Sequence, residues 1–153
     1  MPATLSQIRT SAPQVIAAAQ LHIDTPGAGL IEFTREAADF LDRLGAGDGV
    51  LLAFLRHTSA SLTIQENADP DVRRDLVAAL ARLAPENAGW VHDVEGPDDM
   101  PAHVKAMLTG VSLHVPVADG RMALGTWQGL YLVEHRRRPH VREISLQFVG
   151  SRG

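Results

Sequence analysis

The chain has 153 residues, 45% of them hydrophobic and 21% charged, a composition that fits one folded domain and excludes wholesale disorder. Cysteine is absent, which excludes disulfides, thiolate metal sites, iron–sulfur clusters and thiol catalysis. Lys and Arg number 14 against 18 Asp and Glu, a net charge of −4, so no nucleic-acid partner is expected.

Residues 1–14 form a polar N-terminal segment without a signal-peptide core, and no apolar run nears the ~20 residues that span a bilayer. The expectation is a cytoplasmic protein with no membrane partner, folded as a single domain over 15–153. Val15 to Asp24 alternates as a strand, with Val15, Ala17, Ala19, Leu21 and Ile23 on one face. Thr25-Pro26-Gly27 marks a turn, and Leu30 to Phe33 reads as a short second strand. Thr34 is the expected N-cap of a helix over 35–44, whose stripe is Ala37, Phe40, Leu41 and Leu44. Gly45 and Gly47 end that helix. Gly49 to Arg56 is apolar almost throughout, which predicts a strand buried on both faces.

Ser59 to Gln65 alternates again. Asp69-Pro70 opens a second helix, with Val72, Leu76, Ala79, Leu80 and Leu83 as its buried stripe. A polar loop, Glu95 to Pro101, leads into a short helix over 101–108. Val111 to Val117 is a strand, and Asp119-Gly120 is a hairpin turn. Arg121 to Thr126 and Leu130 to Arg136 read as strands interrupted at Trp127-Gln128-Gly129. His140 to Val149 closes the chain, but its core candidates Val141, Ile144, Leu146 and Phe148 break alternation, which predicts a bulge or late start. About three helices and an all-strand last third predict an α+β fold with largely antiparallel sheets.

Four histidines, His57, His92, His103 and His135, lie in polar surroundings at element edges, where side chains from separate elements converge. As a set they suit a divalent metal, zinc or Mg²⁺; singly, each also reads as a surface or satisfied core residue. Glu66-Asn67 and Glu95 to Asp99 supply carboxylates beyond what helix capping uses. Trp127, between Thr126 and Gln128, reads as a core plug in a strand bulge or as a stacking surface for a planar ring. Lys105, Arg121 and Arg136 carry charge that suits a phosphate or plain solvent. Ser59 and Ser61 lack a nucleophile elbow.

Three blocks, HTSASLTIQENADPDVRRDL (57–76), EGPDDMPAHVKAMLTG (95–110) and GRMALGTWQGLYLVEHR (120–136), resemble the YjbQ-like family, in order and over nearly the whole chain. The resemblance implies a compact YjbQ-like α+β fold, a homotrimer and a secondary thiamine-phosphate synthase activity. That reaction joins hydroxymethylpyrimidine diphosphate to thiazole phosphate and releases pyrophosphate. It implies site residues at His57, Thr58 and Ser59, at Glu66 and Asn67, at His103, at Thr126, Trp127 and Gln128, and at Glu134, His135 and Arg136. With it, His57, Glu66, His103 and His135 are the expected catalytic residues. Thr58, Ser59, Asn67, Lys105, Thr126, Trp127, Gln128 and Arg136 are expected to bind a small phosphorylated metabolite. His57, His103 and His135, with His92 nearby, are expected to converge on the metal, backed by Glu66 and Glu134. Two other functions compete: a zinc-dependent hydrolase of a small metabolite, and a non-catalytic metabolite-binding trimer.

Overall fold

The computed structural model describes residues 2–153. Its elements run β1 (Val15–Thr25), β2 (Gly29–Glu32), α1 (Thr34–Leu44), β3 (Ala46–Leu55), β4 (Ala60–Glu66), α2 (Pro70–Leu83), α3 (Asp99–Thr109), β5 (Ser112–Ala118), β6 (Arg121–Met122), β7 (Gln128–Glu134) and β8 (His140–Arg152). Strand pairing is antiparallel throughout. One sheet has the order β1-β8-β3-β5-β6 and the other β2-β7-β4. The α+β class expected from the order of elements is the class observed.

The inward faces of both sheets, with Ala37 and Leu41 of α1, share one apolar core that includes Leu51, Leu55, Leu62, Leu132, Ile144 and Phe148. Each large side chain removed from water here contributes about 1.5–3 kcal/mol. Helices α2 and α3 lie on the small sheet. Leu76 and Leu80 face Leu30, Thr63 and Val133, while Arg73 donates to the Tyr131 hydroxyl at 3.1 Å. Covered on both sides, β7 is buried from Gly129 to Glu134. The opposite, outer face of the large sheet carries exposed Ile16, Leu52, Phe54 and Val141.

Several local expectations change. β3 is buried on one face only: Leu51, Ala53 and Leu55 point inward, while Leu52 and Phe54 are exposed. An apolar run reads as two-sided burial when its outer residues are apolar for another reason. Thr34 is the first residue of α1, not its cap. Its hydroxyl instead donates to Glu32 at 2.8 Å and accepts the Leu130 N–H at 2.8 Å, tying the helix start to β7. The α2 stripe is only half-buried, and Leu83 is exposed. After the Asp119-Gly120 turn the strand ends at Met122. β8 has no slip: its register against β1 is continuous from His140 to Gly150. The inward residue before Ile144 is the buried Arg142, and an arginine in a core position looks like a break in an apolar pattern.

Candidate metal centre

Asp98 precedes α3 and Pro101 lies in its first turn, and Asp99 and His103 stand four residues apart on it, which puts both side chains on one helix face. The loop before α3 brings His92 back onto the same carboxylate. His92 Nε2 lies 2.7 Å and His103 Nε2 3.0 Å from Asp99 Oδ2, and the two rings are 5.6 Å apart between centroids. Among the described residues, His92, Asp99 and His103 are the one group of three metal-capable side chains whose ligand atoms all lie within 4.8 Å of one another. Asp99 is 4% exposed. Its other oxygen accepts from Arg136 Nη1 at 2.6 Å.

The partners of His103 constrain its chemistry. Nδ1 faces the Thr58 carbonyl at 2.7 Å. A carbonyl only accepts, so Nδ1 carries the proton. A neutral ring then directs its Nε2 lone pair at the Asp99 carboxylate, acceptor against acceptor. Either a second ring proton or a cation shared with His92 and Asp99 relieves that opposition. The donor set, two imidazoles and one carboxylate with a carbonyl holding the outer nitrogen, is the chemistry of a zinc site.

Burial pushes the Asp99 carboxyl upward, but the His92 hydrogen bond, His103 and Arg136 outweigh it and hold the group below the usual carboxylate range. Asp98 behaves alike. Burial raises it, and the Arg137 N–H at 2.9 Å and Arg136 Nε at 3.2 Å bring it below its ordinary value. Arg136 also donates to the Glu95 carbonyl at 2.9 Å, so it is the clasp of the acidic loop. The four-residue spacing of Asp99 and His103 was a readable signal for this carboxylate.

The other expected residues fall into separate groups. Glu134 is buried and takes two hydrogen bonds of 2.5 Å from Arg142, whose Nη2 also reaches the Ser59 hydroxyl at 3.0 Å. Arg142 Nη1 stands 3.4 Å from His57 Nδ1, and His57 Nε2 accepts the Glu143 N–H at 2.8 Å. Both His57 nitrogens therefore have protein neighbours, and burial with the Arg142 charge pushes its pKa down. His135 Nε2 pairs with the Ser61 hydroxyl at 2.8 Å. Burial, and then Lys105, push His135 down to about 4. Neither His57 nor His135 belongs to the close triad. Arg142 and Ser61 were not among the sequence candidates: Arg142 because it sits in an apolar register, Ser61 because it lacks the elbow motif.

Glu66, Asn67, Thr126, Trp127 and Gln128 lie elsewhere. β4 and β7 pair Ala60 with Glu134 at one end and Glu66 with Gln128 at the other. Six residues of strand separate those ends, about 20 Å. At the far end the Asn67 N–H donates to the Trp127 carbonyl at 2.9 Å and its amide to Glu32 at 3.2 Å. Glu66 accepts the Asp69 N–H at 3.0 Å, and Gln128 the Gly125 N–H at 2.8 Å. The Trp127 ring is exposed. Beside the triad instead runs a groove of about 630 Å³ lined by Phe54, His57, Thr58, His103 and Met107. Lys105, two residues on from His103, faces a different cavity with His135 and Arg137.

Relatives carry the same architecture. A family model described as UPF0047 protein YjbQ-like matches residues 19–151. The UPF0047 protein sll1880 of Synechocystis is 48% identical over 131 residues, 85% of this chain and 89% of that one. The UPF0047 protein YjbQ of Salmonella typhimurium is 52% identical over 102 residues, 67% and 74% of the two chains. The crystal structure of an uncharacterized conserved protein of the YjbQ/UPF0047 family from Clostridium acetobutylicum superposes with a TM-score of 0.79 at 35% identity, covering 85% of this chain and 98% of its own. The conserved hypothetical protein TT1486 of Thermus thermophilus gives 0.76 at 37% identity, covering 85% and 98%. Matched along its folded length by the family model and by these relatives, the chain belongs to the YjbQ-like UPF0047 family.

Proposed function

We propose that the protein binds a divalent metal at His92, Asp99 and His103 and acts there on a small phosphorylated metabolite held in the adjoining groove. The observation that carries the reading is the triad itself: three ligand atoms within 4.8 Å, one from a carboxylate almost fully withdrawn from water. Imidazole-rich donors favour zinc over Mg²⁺, which prefers oxygen ligands. Bound there, the ion supplies a Lewis acid for a phosphoryl oxygen and lowers the pKa of a coordinated water. The protein's own groups do the rest. Arg136 fixes Asp99, the Thr58 carbonyl fixes the His103 tautomer, and Phe54 and Met107 give the groove an exposed apolar wall.

The finer reading is thiamine-phosphate synthase-like transfer, supported by the resemblance of the three sequence blocks. A hydrolase reading is favoured by the donor set, since two histidines and a carboxylate also serve zinc-bound water. In both, the active form is a homotrimer, supported by the family resemblance and by the open apolar face of the large sheet.

Metal analysis and one assay test this. Protein purified without chelator is expected to carry about one zinc per chain, and His103→Ala to lose it without loss of helix or strand signal. Hydroxymethylpyrimidine diphosphate and thiazole phosphate are expected to yield thiamine phosphate at a rate that falls at least tenfold in His103→Ala. Metal-free protein that binds no added zinc overturns the metal centre. Zinc without product, but with phosphatase or amidase turnover, selects the hydrolase.

A further inference from the structure

On the far side of α3 from the triad lies a second cavity of about 540 Å³, lined by Lys105, His135, Arg137, Glu86, Ala84 and Pro101 among others. His103 and Lys105 differ by two helix positions, a rotation of about 200°, so the helix itself divides the cavity from the metal centre. Three observations give the cavity a polarity. Ser61 occupies His135 Nε2, while Nδ1 has no protein partner. Among the described residues no buried side-chain nitrogen or oxygen lacks one, so Nδ1 is open to solvent, and His135 lines the cavity.

The acids at the rim are already engaged. Glu86 is ion-paired with Arg137, and Asp98 accepts from Arg136 and from the Arg137 N–H. Lys105 is half-buried and feels Glu86 and Asp98 only through space, with no hydrogen bond to either. An ammonium without a partner and an open imidazole nitrogen thus line one pocket, beside the Arg137–Glu86 ion pair. Val77, Ala81, Ala84 and Pro101 line the rest of it with small apolar surface.

We propose that this cavity is a binding site for the oxyanion of a small organic acid, a phosphate monoester or a carboxylate. Lys105 and His135 take the oxygens, and the apolar wall takes a body of a few carbons. It is separate from the metal centre and needs no metal. Charge-assisted hydrogen bonds from an ammonium and an imidazole N–H are the usual recognition of such groups. In the tautomer this site requires, Nε2 accepts the Ser61 hydroxyl proton and the neutral His135 ring presents Nδ1–H to the ligand.

The test uses full-length protein stripped of metal and dialysed free of chelator. Inorganic phosphate and propionate are titrated separately while ¹H–¹⁵N spectra record the backbone amides and the His135 ring. Saturable shifts are expected at His135, Lys105 and the 84–87 loop, with Kd in the millimolar range for these minimal probes. Lys105→Met is expected to weaken binding at least tenfold with an otherwise unchanged spectrum, and Lys105→Arg to retain most of it. Saturation by phosphate alone assigns a phosphate ester, and by propionate alone a carboxylate; either supports the site. No saturation by either probe, or equal affinity in Lys105→Met, overturns it. Binding that appears only when zinc is restored also overturns it. Because the readings are taken without metal, failure of the metal centre leaves this result unaffected.

Discussion

His135 shows how one buried ring becomes a pH dependence of stability. Burial and the neighbouring Lys105 hold it near 4, against about 6.5 in an unfolded chain. The unfolded state therefore binds the extra proton over that interval, and stability rises with pH through it. The contribution is fully present above about 6.5 and is lost as pH falls through 4. A ring held near 4 corresponds to about 2 kcal/mol lost between pH 7 and pH 5, and about 3 kcal/mol in all. Urea unfolding at the two pH values is expected to show a drop of at least that size in the wild type, since His57 is lowered too. In His135→Gln, which keeps a hydrogen-bonding group for Ser61 but no titration, the drop is expected to be smaller by about 2 kcal/mol. An unchanged pH dependence in the variant would show that other groups set it.

Between elements, the strongest polar tie joins β7 to β8. Glu134 and Arg142 are buried together, with paired 2.5 Å hydrogen bonds and Ser59 accepting from the same guanidinium. Removing one partner strands the other charge in the core, a cost of about 3–5 kcal/mol, whereas replacing both with apolar groups costs far less. Glu134→Leu is expected to lower the urea midpoint sharply, and Glu134→Leu with Arg142→Met to recover most of the loss. The same pair explains what the sequence left unread. Apolar pattern located the strands, by alternate positions that declare a buried face for most and by an unbroken run for β3. It placed the start of β8 at His140 but read a bulge or late start into it, because Arg142 occupies an inward position. It misread Thr34 because a hydroxyl suited to capping is used to bridge Glu32 and the Leu130 N–H instead. Both errors come from polar side chains whose partners lie on other strands, Leu130 of β7 for Thr34 and Glu134 of β7 for Arg142.

Over the whole molecule, the sequence names the expected residues one by one, and the structure sets them in separate groups. Sequence order says that His57, His103 and Glu134 lie in separate blocks; only antiparallel pairing of β4 with β7 reveals which blocks share an end. Asp99 and His103 were accessible from their spacing, whereas the return of His92 depends on the loop path before α3. The outer face of the large sheet belongs to this scale too. Its exposed Leu52 and Phe54 lie on the central strand β3, where a solvated face ordinarily carries polar residues. Light scattering is expected to give three times the chain mass, and Phe54→Glu to give the single-chain mass with the fold intact. A wild-type protein that runs as a monomer at micromolar concentration contradicts the trimer.

The length of β7 also separates the two tryptophans. Trp90 is half-buried, its indole N–H bound to the Pro85 carbonyl at the wall of the Lys105 cavity, while Trp127 is solvated at the opposite strand end. Their fluorescence therefore differs in colour as well as in place: a shielded indole emits to the blue and a hydrated one to the red. A ligand entering beside Pro85 within one chain alters the blue component and leaves the red one alone. Loss of the red component on ligand addition would instead mean that a Trp127 from another copy had been brought to the ligand, so the unmodified protein carries its own two-colour record of which surfaces its ligands touch.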